Sequence, residues 1–359
     1  MASAIKKVTT AILHGLSMGS NILGVRQISR GPDNIMNFYV VYSQGHLRWA
    51  EMIRQQLASS LESAMPQLKF YITTTTLPYG SKEQVINTLF SHDILSGSVK
   101  EPGHTFIITP GWWESQMIEY ARSIGVLGLP QLFCLPTSPA ELFHQAGQSS
   151  CDRSSLGGVY SWPADPQSYV DNLMAVKDGV KKVLVPYNIT DGTDHMIQVM
   201  KYQMAELKKA FYANGIEVIA HRWTFDSMES FRLRTTLKSC DAVITLHEPT
   251  AELYSAELTA LCKKVHKPHY ASQLDSVYEG AAIGSGVFGG AFGPPLVSLV
   301  AQFLATPERG LGWQTVCIPP QSGAHINDNE REEQGIFFDK KQEALFRAKS
   351  IFGTHQTEY

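Results

Sequence analysis

The stretch from Lys182 to Pro295 constrains the fold most, because short apolar runs alternate there with longer helix-forming segments. An apolar run at 183–185 stops at Pro186, and a helical pattern then covers Met196–Ala213. The next apolar run is Ile216–Ala220, and the alternation continues as far as Ser272. Short strands that alternate with helices form right-handed crossovers, which build a parallel sheet. This stretch therefore predicts an α/β domain.

Polar residues follow the predicted strands at the points where the strands end. The three segments concerned are Pro186–Asp191, His247–Thr250 and Ser272–Ser276. In open parallel sheets, ligands bind beyond the carboxyl ends of the strands. The sequence therefore predicts a binding site at this edge of the sheet.

The first half of the chain shows the same alternation. Predicted strands cover Phe38–Tyr42, Phe70–Thr75, Thr105–Thr109 and Gln131–Leu135, and an amphipathic helix covers Leu47–Ser63. Two βαβ series in one chain of 359 residues predict two doubly wound parallel-sheet lobes rather than one large core.

The chain is expected to cross between the lobes more than once. The glycine-rich segment 281–293 suits a backbone that passes close to another backbone, as at a crossing. The predicted division is an N-terminal extension (1–37), a first lobe (38–160 and about 281–310), a second lobe (161–280 and about 311–325) and a C-terminal tail helix (326–359).

Composition excludes several classes of protein. The hydrophobic content of 43% and charged content of 18% are typical of a globular protein, and the net charge of -3 gives no reason to expect nucleic acid as a partner. No run of eighteen apolar residues exists, so no membrane-spanning helix is expected. The five cysteines include no C-x-x-C pair, which favours free thiols and a reducing compartment.

The N-terminus has two interpretations. Lys6 and Lys7 precede the largely apolar stretch Val8–Val25, which is the order of a secretory signal. The stretch also contains His14 and Asn21, and no A-x-A cleavage site follows it. It is therefore either an export signal or an additional strand or helix.

Motifs for catalysis and cofactors lack their structural context. Gly284–Gly289 matches G-x-G-x-x-G, but no acidic residue closes a βαβ unit after it. Gly15–Gly19 matches the G-x-S-x-G nucleophile elbow, but it precedes the first predicted strand. His266 and His269 have Pro268 between them and no ligand partner at suitable spacing. With no P-loop motif either, we expect a non-enzyme with no cofactor and no metal.

Several of these segments, taken in order, resemble one family. The chain is similar to the solute-binding proteins of ABC transporters, in particular the TrpX-like branch with the type I periplasmic-binding fold. The segments that carry the resemblance are Thr105–Pro110, Gly128–Phe133, Val183–Asn188, Cys240–Ile244, Lys267–Ser272 and Val277–Ala281. Two departures concern the ligand: Val287–Phe292 replaces the family's Asp-Tyr, and Gly111–Trp113 stands where small residues are usual.

The resemblance implies a two-lobed clamp that closes on a small molecule, performs no chemistry on it, and feeds an ABC import system in the periplasm or cell envelope. The implied ligand is polar and partly flat, with an aromatic amino acid as the first candidate. Two alternatives stay open: a cytoplasmic ligand sensor or regulatory protein with the same fold, and an α/β hydrolase-type enzyme. The candidate ligand-binding residues are Ser43, Gln44, Thr109, Trp112, Trp113, Thr137, Ser138, Tyr187, Asn188, Asp191, Glu248, Ser272 and Asp275.

Each candidate also has a structural interpretation. Of the adjacent Trp112 and Trp113, at most one is expected to face the cleft, because neighbouring helix positions point in different directions. Asn188 could stabilise a turn, and Glu248 could serve the first turn of a helix. Asp191 and Asp275 could be solvated turn carboxylates.

Overall fold

The structure is a computed structural model that describes residues 35–78, 81–91, 105–125, 127–135, 156–161, 165–190, 194–286, 289–307, 311–312, 314–318, 321–338 and 352–355. Residues 1–34 of the predicted N-terminal extension and residues 339–351 and 356–359 of the predicted tail helix lie outside these ranges. The strands are β1 Ile35–Ser43, β2 Lys69–Leu77, β3 Thr105–Thr109, β4 Gln131–Leu135, β5 Leu156–Ser161, β6 Lys182–Tyr187, β7 Glu217–Arg222, β8 Ala242–Thr245, β9 His269–Ala271, β10 Ile283–Gly286, β11 Gln314–Ile318, β12 Gln321–Asn327 and β13 Phe352–His355.

The helices follow the strands, as expected for crossovers. They are α1 Leu47–Ala64, α2 Lys82–Ser91, α3 Trp112–Ser123, α4 Pro166–Val176, α5 Asp194–Ala213, α6 Ser230–Lys238, α7 Pro249–Leu253, α8 Ser255–Val265 and α9 Gly293–Ala305. Short 3₁₀ turns cover Gln44–His46, Leu274–Glu279 and Gly289–Phe292.

Two sheets form the two lobes, which confirms the predicted α/β class. The first sheet has the order β11-β5-β4-β3-β1-β2, and its strands are parallel. The second has the order β13-β12-β10-β9-β8-β6-β7. Its pairs are parallel except for β10 and β12, which are antiparallel. The chain therefore has the predicted type I periplasmic-binding architecture.

The strands near the C-terminus divide between the lobes differently from the predicted boundaries. Strand β10, which the sequence placed with the first lobe, pairs with β9 in the second sheet. Strand β11 pairs with β5 in the first sheet, and β12 pairs with β10 in the second. Sheet membership depends on hydrogen-bond partners far away in the chain, which local patterns do not reveal.

Each lobe has its own apolar core, and a further cluster joins them. Helices α1 and α9 cover one face of the first sheet around Phe38, Phe106 and Phe303. In the second lobe, Leu184 and Leu258 belong to a core on one side of the sheet. The joining cluster contains Trp112 and Phe133 from the first lobe and Val183, Tyr169 and Tyr270 from the second. The lobes are thus in direct apolar contact beside the strand ends.

Candidate functional site

The carboxyl ends of β1 and β3 in the first lobe meet the end of β8 in the second. Five polar residues lie at this junction, which we call the cleft cluster. Its members are His46, Glu114, His247, Glu248 and Glu252. A site at the strand ends of both lobes is where the parallel-sheet architecture places a ligand.

The first-lobe part of the cleft cluster is a buried ion pair. His46 Nδ1 lies 2.8 Å from Glu114 Oε1, and Ser43 donates its backbone N–H to the same oxygen at 2.7 Å. Burial lowers the pKa of His46, but the charge of Glu114 and its hydrogen bond outweigh burial and raise it. Burial raises the pKa of Glu114, but the charge and hydrogen bonds of its partners lower it overall. The contact therefore favours the charged form of both side chains.

Gly111 makes room for this pair. Its backbone φ of +143° belongs to a region that favours glycine. A Cβ at this position would lie 2.5 Å from His46 Cε1 and 2.8 Å from Glu114 Oε2. Position 111, directly before α3, must therefore lack a side chain for His46 and Glu114 to meet.

The second-lobe part contains a carboxylate with neutral donors. Trp223 donates its Nε1–H to Glu248 Oε1 at 2.7 Å, and Thr250 donates its backbone N–H to Glu248 Oε2 at 3.1 Å. Burial raises the pKa of Glu248 to about 7, although these hydrogen bonds favour the ionised form. Glu248 also caps helix α7, whose Pro249 occupies the first turn.

His247 joins the two parts. Its ring lies 6.4 Å from the ring of His46 and 5.3 Å, edge-on, from the ring of Trp49. Its Nε2 is 3.3 Å from Gln273 Nε2. Burial lowers the pKa of His247 well below its usual value, and the positive charge of His46 lowers it further. His247 therefore favours its neutral form, in contrast to His46.

The first turn of α1 contacts the second lobe directly. Trp49 donates its backbone N–H to Glu252 Oε1 at 3.1 Å. Arg48 Nη1 lies 3.3 Å from Glu279 Oε1, and the Arg48 guanidinium lies 5.0 Å above the ring of Tyr278. The structure therefore shows the two lobes closed on each other at this edge.

The first-lobe candidates from the sequence have different surroundings. Ser43 is buried at the end of β1, whereas Gln44 is exposed. Thr109 is buried, and its Oγ1 is 2.9 Å from Ser115 Oγ and 3.0 Å from Gln131 Nε2. Trp113 packs in the first-lobe core, while Trp112 belongs to the cluster shared by the lobes. Thr137 and Ser138 lie outside the described residues.

The second-lobe candidates also differ in burial and in their hydrogen-bond partners. Tyr187 is partly buried at the end of β6. Asn188 is buried; its Nδ2 donates to Thr250 Oγ1 at 2.9 Å, and its Oδ1 accepts from Thr190 N at 3.0 Å, so it stabilises a turn. Ser272 is buried after β9, and Glu248 is in the cleft cluster. Asp191 and the side chain of Asp275 lie outside the described part of the chain.

Sequence reasoning missed most of the cleft cluster. His46 follows the first strand by three residues, and His247 lies between the predicted strand end and Glu248, so position alone could have found them. Glu114 follows the Thr-Pro-Gly-Trp-Trp segment, but its inward direction depends on the helix that starts at Trp112. Nothing in the local sequence of Glu252 indicates that it contacts the other lobe.

The described ranges contain neither a metal-binding group of side chains nor a membrane-spanning helix. Within them, no three or more His, Cys, Asp or Glu side chains are grouped so that they could hold a metal ion. The helices seen there are all too short or too polar to cross a bilayer.

Comparisons with known proteins support the fold. No protein-family model matches the chain, and no curated protein matches it in sequence. Among solved structures, a conserved domain protein from Vibrio cholerae O1 biovar El Tor is similar at a TM-score of 0.67 and 14% identity, covering 89% of this chain and 99% of the other. An ABC domain in complex with L-Trp from Streptococcus pneumoniae is similar at 0.66 and 15%, covering 89% and 99%.

A third structure has the same architecture at greater distance. It is the ligand-free, open form of a substrate-binding protein with adhesive properties from Clostridium difficile, with a TM-score of 0.57 and 12% identity over 90% of this chain and all of the other. At these identities the similarity establishes a periplasmic-binding-protein-like fold. It leaves the ligand to be argued from the site.

Proposed function

We propose that this protein is the non-catalytic solute-binding component of an ABC import system. The observation that carries the proposal is the cleft cluster, in which polar side chains from the strand ends of both lobes meet in a buried junction. A molecule that contacts both lobes stabilises the closed arrangement over the open one. Such a clamp holds a solute and delivers it unchanged.

We propose an amino-acid-like ligand with a flat side chain. Trp49, Tyr187 and His247 supply ring faces and edges near the strand ends, and Gln273 and Ser272 lie nearby with polar groups. Pockets for small ligands combine such rings with a few directed polar groups. The TrpX-like resemblance and the tryptophan-bound neighbour agree with this class of ligand.

The proposal extends to the protein's partners and location. A solute-binding component works with the membrane subunits of its transporter, so it would act in the periplasm or cell envelope. The charged and then apolar order of the N-terminal segment supports export as its role.

A thermal-shift screen of aromatic and other amino acids, purines and sugars tests ligand binding. A ligand bound only by the folded state at 100 times its Kd should add about 2.7 kcal/mol to the free energy of unfolding. Tyr187→Ala should remove most of the shift that the best ligand gives. Tyr212→Ala is the matched control, because Tyr212 is 84% exposed on α5 away from the strand ends.

Two results would contradict the proposal. One is a screen in which no compound raises the melting temperature of the wild-type protein. The other is a stabilising compound that the protein chemically converts, which would indicate an enzyme. Uptake of the stabilising compound by cells with and without the gene then tests transport.

A further inference from the structure

The first turn of α1 and its N-cap residue bring the first lobe into contact with the second lobe. We call His46–Trp49 the bridging turn. Its backbone contacts Glu252, its Arg48 side chain contacts Glu279 and Tyr278, and its His46 ring lies beside His247. Because these contacts all come from one short segment, opening or closing of the lobes would break or form them together.

The N-cap residue of α1, His46, makes no capping hydrogen bond with its side chain. Within its own lobe, the N–H of Leu47 bonds to the Gln44 carbonyl. The first N–H groups of a helix need acceptors from outside the helix. The N–H of Trp49, a residue only 1% exposed, finds that acceptor in Glu252 of the other lobe, 203 positions along the chain.

A carboxylate is the favourable group for this position. The N-terminal end of a helix carries partial positive charge, and α1 is eighteen residues long. Hydrogen bonds from backbone N–H groups to carboxylates are stronger than those between neutral groups. When the lobes separate, both the N–H and the carboxylate must be satisfied by water instead.

Arg48 provides a second, weaker connection. Its side chain is 31% exposed and that of Glu279 is 22% exposed, so solvent screens the ion pair. Arg48 thus assists closure, whereas Glu252 makes a partly buried contact with the N–H of the buried Trp49.

We propose that Glu252 is a positioning residue that closes the clamp by capping α1 across the cleft. It thereby sets how tightly the ligand is held without selecting which ligand is held. This inference rests on the proposed binding function. Because ligand affinity scales with the population of the closed state, loss of the cap should weaken every ligand by the same factor.

The experiment compares wild type with Glu252→Ala and Glu252→Gln by small-angle X-ray scattering and by ligand titration. Without ligand, Glu252→Ala should show a larger radius of gyration than wild type. The dissociation constants of all ligands should rise about tenfold, as for loss of one charge-assisted hydrogen bond, with their order unchanged. Glu252→Gln retains an acceptor oxygen, so its radius of gyration and its dissociation constants should lie between those of wild type and Glu252→Ala.

Glu257→Gln is the matched control, because Glu257 lies in the first turn of α8 and is exposed. It should leave both the radius of gyration and the affinities as in wild type. An unchanged radius of gyration in Glu252→Ala would overturn the inference. A changed order of ligand preference would also overturn it, since Glu252 would then contact the ligand.

The two proposals fail in different ways. If no ligand is found, the proposed function fails, while the scattering comparison still decides whether Glu252 closes the lobes. If Glu252→Ala is unfolded by circular dichroism, Glu252→Gln and Arg48→Gln provide the same scattering comparison. Glu252→Gln should shift the radius of gyration in the direction of opening, and Arg48→Gln should shift it less; no shift in Glu252→Gln would refute the role of Glu252.

Discussion

Two buried carboxyl groups occupy corresponding places in the two lobes, and their pKa values are shifted in opposite directions. Glu114 lies beside β3 of the first lobe with His46 as its partner, and its pKa is lowered. Glu248 follows β8 of the second lobe with only N–H donors in hydrogen-bonding contact, and burial raises its pKa to about 7. Both are almost completely buried. Because the two are equally buried, the difference in the direction of their pKa shifts comes from their partners: a histidine beside Glu114 and N–H donors beside Glu248.

The largest effect is expected from Glu114→Ala. The substitution leaves the His46 ring nitrogen and the Ser43 N–H buried without their acceptor. Breaking a buried ion pair by removing one partner costs about 3–5 kcal/mol. We expect urea unfolding at pH 7 to show a loss of this size in the free energy of unfolding.

A surface pair on another helix provides the control. Arg54 donates its Nε–H to Glu51 Oε2 at 2.8 Å on α1, both side chains are more than a third exposed, and surface ion pairs contribute about 0–1 kcal/mol. Glu51→Ala should therefore cost much less than Glu114→Ala. Equal losses in the two variants would mean that the His46–Glu114 pair is not the special feature of the first lobe.

The second prediction concerns the pH dependence that Glu248 causes. In the unfolded chain this carboxyl ionises near its ordinary value of 4.5, whereas in the folded protein it keeps its proton up to about pH 7. Between these values the folded state binds more protons, so its stability falls as pH rises. At about 1.36 kcal/mol per pKa unit, the contribution is about 3 kcal/mol.

The measurement compares wild type with Glu248→Gln in urea at pH 4.5, 6 and 7.5. Glutamine has no ionisable proton at this position, so the free energy of unfolding of Glu248→Gln should not show this fall with rising pH. The difference between the two proteins should shift by about 3 kcal/mol in favour of Glu248→Gln as the pH rises. A difference that stays constant across the range would show that Glu248 is ionised throughout.

Much of the fold was predictable because the alternation of short apolar runs and helical segments is local. The predicted helix Leu47–Ser63 ends one residue before the observed α1, and the strand predicted at Phe38–Tyr42 lies inside β1. The sheet membership of β10 and β11 was not predictable in the same way. It depends on pairing between segments far apart in the chain.

The candidate site was also only partly predictable from the sequence. Glu248 was recognisable because it follows a predicted strand and precedes Pro249, which favours a helix start. Its partner Trp223 follows a different strand, and its hydrogen bond depends on how two elements pack. The contact between Glu252 and Trp49 joins two lobes, so no pattern within either segment could indicate it.

The smallest effect is expected from Thr109→Val, which tests whether the end of β3 is structural. The Thr109 hydroxyl contacts Ser115 and Gln131, and none of these side chains carries a charge. Valine keeps the shape but loses the hydroxyl, at a cost of about 1 kcal/mol. Since no titrating group is in this hydrogen-bond set, the loss should be equal at pH 5 and pH 8, in contrast to Glu248→Gln. Urea unfolding at the two pH values measures it. If Thr109→Val instead keeps wild-type stability and abolishes the thermal shift given by the best ligand, the hydroxyl serves the ligand, and the end of β3 belongs to the binding surface.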